Sequence, residues 1–284
     1  MMSRILVIAR DNPLSLEIGN TLGKWNFPME YAAGGADTLH RLRMKSFKVV
    51  VTSSESAVDE DLALLEEMRA IHPGVKTIVL APASTPTELI AALRAKVFAC
   101  FTRPFNATEI ARLACEAASD SQGRDDIQVL SARPGWVSVR VNCSERTAER
   151  LITFAKELSA QLPVETRHEM MQAFREILMN AIEHGAAFDP EQVVDVSAIR
   201  TERSMVYYVR DPGRGFRLEA LTHAAVTNPP HDPAAHIKRR EEKGLRPGGY
   251  GLLLASGTVD ELIYNEIDNE VLLIKYLDPT ADPS

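Results

Sequence analysis

Phe174-Arg175-Glu176-Ile177-Leu178-Met179-Asn180-Ala181-Ile182-Glu183-His184-Gly185 is the stretch that decides how the second half of this chain folds. At ~100° per residue, Phe174, Ile177, Leu178, Ala181 and Ile182 share one face of a helix. Upstream, Thr166 and Glu169 form a capping-box pattern, and Gly185 suits the position after a helix end, so a helix over 166–184 is predicted. Glu176, Asn180 and His184, spaced by four, line up beside the apolar face. A carboxylate, an amide and an imidazole in that row suit a cleft, although any amphipathic helix offers a polar flank.

Outward from this helix, the chain reads as runs of strands with paired helices. Gln128–Val141 suggests strands turned near Pro134-Gly135, and a helix over about 147–161 precedes the one just described. Val193–Arg200 and Met205–Arg210 pair as antiparallel strands, and a hairpin of Glu261–Asn265 with Val271–Leu277 closes the chain. Such a sheet is covered on one face by helices, which is an α+β two-layer sandwich. Two further motifs stand on it. Asp211-Pro212-Gly213-Arg214-Gly215 ends a strand; glycines there let the backbone approach a flat ligand, and an aspartate can accept from an exocyclic amine. Gly248-Gly249-Tyr250-Gly251-Leu252 opens a helix, whose free N–H groups make an anion site. The first could be a plain turn, and a lone glycine cluster says little by itself.

In this order and spacing the three motifs resemble the N, G1 and G2 boxes of the Bergerat-fold ATPases, the superfamily of gyrase and the histidine kinases. The similarity is closest to the anti-sigma-factor serine kinases. The resemblance implies ATP and Mg²⁺ as cofactors. Asn180 would hold Mg²⁺ through its amide oxygen, and Glu176 would be the general base for an attacking hydroxyl. Asp211 would bond the adenine amino group, with Gly213 and Gly215 giving it room. Gly248, Gly249 and Gly251 would cradle the phosphates, with Leu252 beside them in the binding set, and His184 would lie just behind the contacting residues. The segment 217–247 falls where this superfamily keeps its ATP lid. Its basic cluster of Lys238-Arg239-Arg240, Lys243 and Arg246 could close on phosphates, with Lys243 and Arg246 as the candidates, or could be a solvated loop balanced by Glu241-Glu242.

The first half alternates strand and helix signals: Ile5–Ile8, Ser15–Trp25, Lys48–Thr52, Leu62–Ile71, Thr77–Leu80, Pro86–Ala95, Val97–Phe101 and Asn106–Ala118. Short connections between them imply a doubly wound parallel α/β sheet. The pattern resembles the receiver domain of response regulators, with Phe101-Thr102-Arg103-Pro104-Phe105 standing at the Lys-Pro-Phe signature. Ala9-Arg10 falls where receivers bind Mg²⁺, although Asp11 could be a displaced ligand. Ser53 falls at the phosphorylated aspartate, Ala81 at the hydroxyl position and Arg103 at the lysine. Mg²⁺ wants anionic oxygens and a serine cannot form an acyl phosphate, so a phosphorylation-independent docking or dimerisation module is expected. The domains run 1–119 and 127–284, joined by a polar linker over 120–126.

A length of 284 residues suits two domains, and the net charge of −7 argues against broad nucleic-acid binding. Cys100, Cys115 and Cys143 lack metal-ligand spacing, which suits reduced thiols. No apolar run approaches the ~18–20 residues of a membrane span, so a cytoplasmic protein without membrane contact is expected. The leading expectation is an ATP-dependent serine kinase that binds a sigma factor in one state and phosphorylates an antagonist protein in another, with either domain able to serve a homodimer. The alternative is a nucleotide-gated binding module with negligible turnover. A histidine autokinase needs a dimerising helical hairpin before the ATP domain, and 119–128 leaves no room for one.

Overall fold

The computed structural model describes residues 4–9, 12–120, 126–215, 232, 235–242 and 251–277. The chain divides into two compact units, Met1–Asp125 and Asp126–Ser284. Arg10, Asp11 and residues 121–125 of the expected linker lie outside the described residues.

In the first unit, strands β1 (Ile5–Ile8), β2 (Met29–Ala32), β3 (Val49–Val51), β4 (Lys76–Ala81) and β5 (Ala99–Thr102) alternate with helices α1 (Pro13–Lys24), α2 (Gly35–Met44), α3 (Val58–Ile71), α4 (Pro86–Arg94) and α5 (Ala107–Ser119). The strands pair in parallel in the order β2-β1-β3-β4-β5, the doubly wound α/β arrangement. Helices on both faces explain why β1 and β3 are apolar at every position and buried throughout. Ile5, Val7, Val49, Val51, Ile78 and Leu80 form a core with Ile18 and Leu22 of α1 and Ile110 and Leu113 of α5. Strand β2 and helix α2 went unread in the sequence. Met29, Glu30 and Tyr31 are only half-buried and α2 buries just Thr38 and Leu42, so neither element carries a clear apolar pattern. Past the strand ends, the Asn12 amide donates to Ser54 Oγ (2.9 Å) and Glu55 Oε1 (3.1 Å), and Arg103 pairs with Glu55 (3.3 Å). The Arg103–Pro104 peptide is cis.

Beside this cluster, Asp61 in the first turn of α3 is buried and accepts from the hydroxyls of Thr52 (2.6 Å) and Ser56 (2.8 Å). Burial pushes its carboxyl up to about 6, against the two hydroxyl bonds that pull it down. The unfolded chain titrates near ~3.9. A folded value above the unfolded one means that Asp61 adds stability below the unfolded pKa, and that this is lost as pH rises through about 6. Asp61→Asn keeps the shape and can bond both hydroxyls. It is expected to stabilise the first unit at neutral pH by roughly 2 kcal/mol and to flatten its stability between mildly acidic and neutral pH. Urea melts of both chains across that range check this.

The second unit contains β6 (Ile127–Arg133), β7 (Trp136–Asn142), α6 (Glu145–Leu158), α7 (Val164–Asn180), β8 (Val193–Arg200), β9 (Ser204–Arg210), α8 (Ala235–Glu242), α9 (Gly251–Thr258), β10 (Glu261–Tyr264) and β11 (Glu270–Tyr276). Its strands are antiparallel throughout, in the order β10-β11-β9-β8-β7-β6. Alternation puts Val137, Val139, Val141, Val194, Val196, Met205, Tyr207, Val209, Val271 and Leu273 on one buried face. Helices α6, α7 and α9 pack on that face. Phe174 of α7 stacks on Tyr207 with ring centroids 4.3 Å apart, and the Tyr207 hydroxyl meets Ser159 at 3.2 Å. The other face carries polar pairs such as Arg140–Asp195 (2.7 Å) and Ser197–Ser138 (2.9 Å). This is the α+β two-layer sandwich.

Two expectations for the helix quoted at the outset are corrected. It begins at Val164 with Pro163 at the cap position and no side-chain cap. Thr166 therefore lies inside the first turn, where it cannot cap, and the Glu169 carboxylate pairs with Lys275 at 2.9 Å instead. At the other end α7 stops at Asn180 and a single π-helical turn, Ala181–Gly185, continues it, with Ala186 N–H donating to Ala181 O at 3.1 Å. Ala187 (φ 52°) and Phe188 (φ 57°) then both take left-handed conformations. Within 217–247, α8 contains Lys238-Arg239-Arg240, whereas Lys243, Arg246, Gly248 and Gly249 lie outside the described residues.

Candidate functional site

Glu176 and Asn180 sit one turn apart on α7, both half-buried at the edge of the face that packs on the sheet. The π turn widens the helix after Asn180 and displaces His184 from where a continuous α-helix would put it. His184 is exposed. Single π turns recur at functional sites, as do residues held in sparsely populated backbone regions. Ala187 and Phe188 add the second feature a few residues after the first.

Helix α9 runs alongside α7. Its first residue, Gly251, lies so close to the Glu176 carboxylate that a Cβ there would overlap Glu176 Oε2. The carboxylate of one motif and the helix start of another therefore meet. Leu252 is half-buried in the same turn. The far end of α9 is held by Lys275, which donates to Thr258 O (3.0 Å) and pairs with Glu169 (2.9 Å) and Asp260 (3.4 Å). The Glu169 bond holds the Lys275 ammonium above its ordinary pKa. The sequence reading missed this lysine, since an isolated basic residue in a strand carries no signal.

The π turn also reaches the third motif. Cβ atoms on Gly185 would overlap the Asp211 side chain, and one on Gly213 would stand 3.0 Å from Gly185 O. Gly185 thus serves close approach to Asp211 rather than simply ending a helix. The Gly213 N–H donates to Asp211 Oδ1 at 2.8 Å. Burial raises the Asp211 carboxyl above its ordinary value, and that hydrogen bond pulls it down. Burial likewise pushes the nearby Cys143 thiol up to about 11, with the charges of Asp189 and Asp211 adding to it. Cys100, Cys115 and Cys143 form no disulfide.

The β10–β11 turn braces the Asp211 loop from behind. Asp211 N–H donates to Asn269 O (3.0 Å), and the Asn269 side-chain amide donates to Gly213 O (3.2 Å). Gly215 has φ +74°, and a Cβ there would overlap Ile267 O, so glycine is required on both counts. The sequence marks Asn269 only as a residue of the turn, at Asp268-Asn269, in the closing hairpin.

Glu176, Asn180, Gly251, Asp211 and Gly213 are thus joined by two junctions, one at Gly251 and one at Gly185, along α7, the start of α9 and the loop after β9. Mg²⁺ is usually held by one or two protein oxygens together with substrate phosphates. The Asn180 amide oxygen, one helical turn from Glu176, is a donor that fits that habit. Among the described residues, no group of three His, Cys, Asp or Glu side chains forms a cage for a metal.

Residues 141–275 match the family of histidine kinase-like ATPase domains. The matched segment spans α7, the Asp211 loop and α9, and the match supports an ATP-binding regulatory role for the second unit. The first unit is similar to solved receiver domains. One is a CheY-like response regulator receiver from Methanospirillum hungatei JF-1, at 21% identity over 41% of this chain and 93% of that one, TM-score 0.37. Another is a response regulator from Thermotoga maritima, at 19% identity over 42% and 100% of the two chains, TM-score 0.38. No curated protein matches the sequence. Among the described residues, no helix is long and apolar enough to cross a membrane.

Proposed function

We propose that the chain is an ATP-dependent protein serine/threonine kinase that acts as an anti-sigma factor. In this reading it releases or holds a sigma factor according to whether an antagonist protein has been phosphorylated. The observation that carries this reading is the contact between Glu176 and Gly251. Phosphates gathered at the start of α9 by its free N–H groups lie beside a carboxylate able to take a proton from an attacking hydroxyl. Bound ATP and Mg²⁺ supply the phosphoryl group and neutralise its charge. The chain supplies the rest. Asn180 offers the metal an amide oxygen, Asp211 accepts from the adenine amino group, and Gly213 and Gly215 let the backbone lie against the base. Glu176 orients and deprotonates the serine hydroxyl. The first unit, with Ser53 where an aspartate would be phosphorylated, is the docking arm.

The test uses the full chain, labelled ATP and the antagonist encoded beside it. Phosphoserine on the antagonist is expected. Tight ATP binding without phosphoprotein would replace the kinase with a nucleotide-gated binding module.

A further inference from the structure

We propose that Asn269, in the turn between β10 and β11, is a positioning residue for purine recognition and sets the preference for adenine over guanine. The proposal rests on the reading of Asp211 as acceptor of the adenine amino group. Asn269 is bonded to both ends of the loop that presents this carboxylate. Its main-chain oxygen accepts from Asp211 N–H at 3.0 Å, one residue beyond the end of β9. Its side-chain amide donates to Gly213 O at 3.2 Å. Gly213 in turn donates its N–H to Asp211 Oδ1 at 2.8 Å, so the carboxylate points where Gly213 directs it and Gly213 stands where Asn269 holds it.

Asn269 is itself held in one orientation. Asn265 Nδ2 donates to Asn269 Oδ1 (2.9 Å), and Asn265 Oδ1 accepts from the N–H groups of Asn269 (3.0 Å) and Glu270 (3.2 Å). This engages the carbonyl end of the Asn269 amide and turns its NH₂ toward Gly213 O. The contact of Gly215 with Ile267 O places the same turn against the end of the motif. The main-chain bond to Asp211 continues the β9–β11 ladder, but a turn that merely closed a hairpin would not need the side-chain bond to Gly213. Adenine presents an amino donor at the position where guanine presents a carbonyl. A half-buried acceptor fixed in place therefore rejects guanine, and one that can drift does not.

The experiment measures ATP and GTP affinity by titration calorimetry for the full chain, Asn269→Ala and Asn269→Asp. The aspartate is isosteric and keeps the acceptor for Asn265; it replaces the donor to Gly213 O by a carboxylate oxygen that repels it, so it serves if the alanine chain folds poorly. Both variants are expected to bind ATP about 5–20-fold more weakly. GTP affinity changes little, so the ATP:GTP ratio falls by a similar factor, while the melting temperature without nucleotide stays within a few degrees. An unchanged ratio overturns the proposal, whether affinity is untouched or both nucleotides weaken equally. Wild-type protein that binds neither nucleotide overturns the reading of the site, and the proposal with it.

Discussion

Replacing Glu176 by alanine is expected to leave ATP affinity within about threefold while phosphate transfer to a protein hydroxyl falls by a factor of ~10²–10⁴. The carboxylate lies against Gly251, at the helix start proposed to hold the phosphates. Two anions so placed repel, so removing one does not weaken nucleotide binding and slightly favours it. What is lost is the acceptor for the proton of the attacking hydroxyl. Glu176→Gln keeps the volume beside Gly251 and is expected to show the same loss, which separates chemistry from packing. Single-turnover transfer to the antagonist, measured beside equilibrium ATP binding, gives both quantities. Transfer at the wild-type rate in either variant would remove Glu176 from the reaction.

Asp211→Asn is expected to weaken ATP binding by roughly 10–100-fold, the worth of a hydrogen bond to a charged acceptor in a sheltered place. The amide nitrogen of the new side chain would face another donor, the Gly213 N–H or the adenine amino group. In the parent chain burial raises the Asp211 carboxyl. Its ionised, accepting form is therefore lost at a higher pH than for an exposed aspartate, and ATP affinity falls correspondingly early on acidification. The asparagine chain lacks that titration, and its weaker affinity should be level over the same range. Calorimetric titrations from neutral to acidic pH decide the matter. Parallel pH profiles for the two chains would remove Asp211 from base recognition.

Much of this architecture can be read from residue order, for identifiable reasons. The run Val49–Val51 is apolar without interruption because helices cover both its faces. Val137, Val139 and Val141 alternate because only one face of their sheet is covered. The Glu176, Asp211 and Gly251 motifs are local patterns, visible before any contact is known. What escaped reading depends on partners distant in the chain. Thr166 and Glu169 had the form of a helix start, but Glu169 is committed to Lys275, more than a hundred positions on. Gly185 had the form of a helix stop, while its neighbour in space is Asp211. Asn269 resembled any turn residue and Asn265 the end of a strand, because the loop they brace is distant in sequence. Strand β2 was invisible for another reason: its place at the sheet edge leaves three of its four residues half-exposed.

The π turn at Ala181–Gly185 has a consequence for how this chain can vary in length. A π turn advances fewer degrees per residue than the ~100° of a regular α-helix, so it takes up one extra residue without turning the chain beyond it. Deleting one residue between Asn180 and Gly185 would restore a regular helix and keep Glu176 and Asn180 in nearly the same register with the chain that follows. The length of the chain from Asn180 to Gly185 is therefore less constrained than the glycine that ends it, where a Cβ would overlap Asp211. Lineages descended from this sequence could lose a position there long before they could exchange that glycine for another residue.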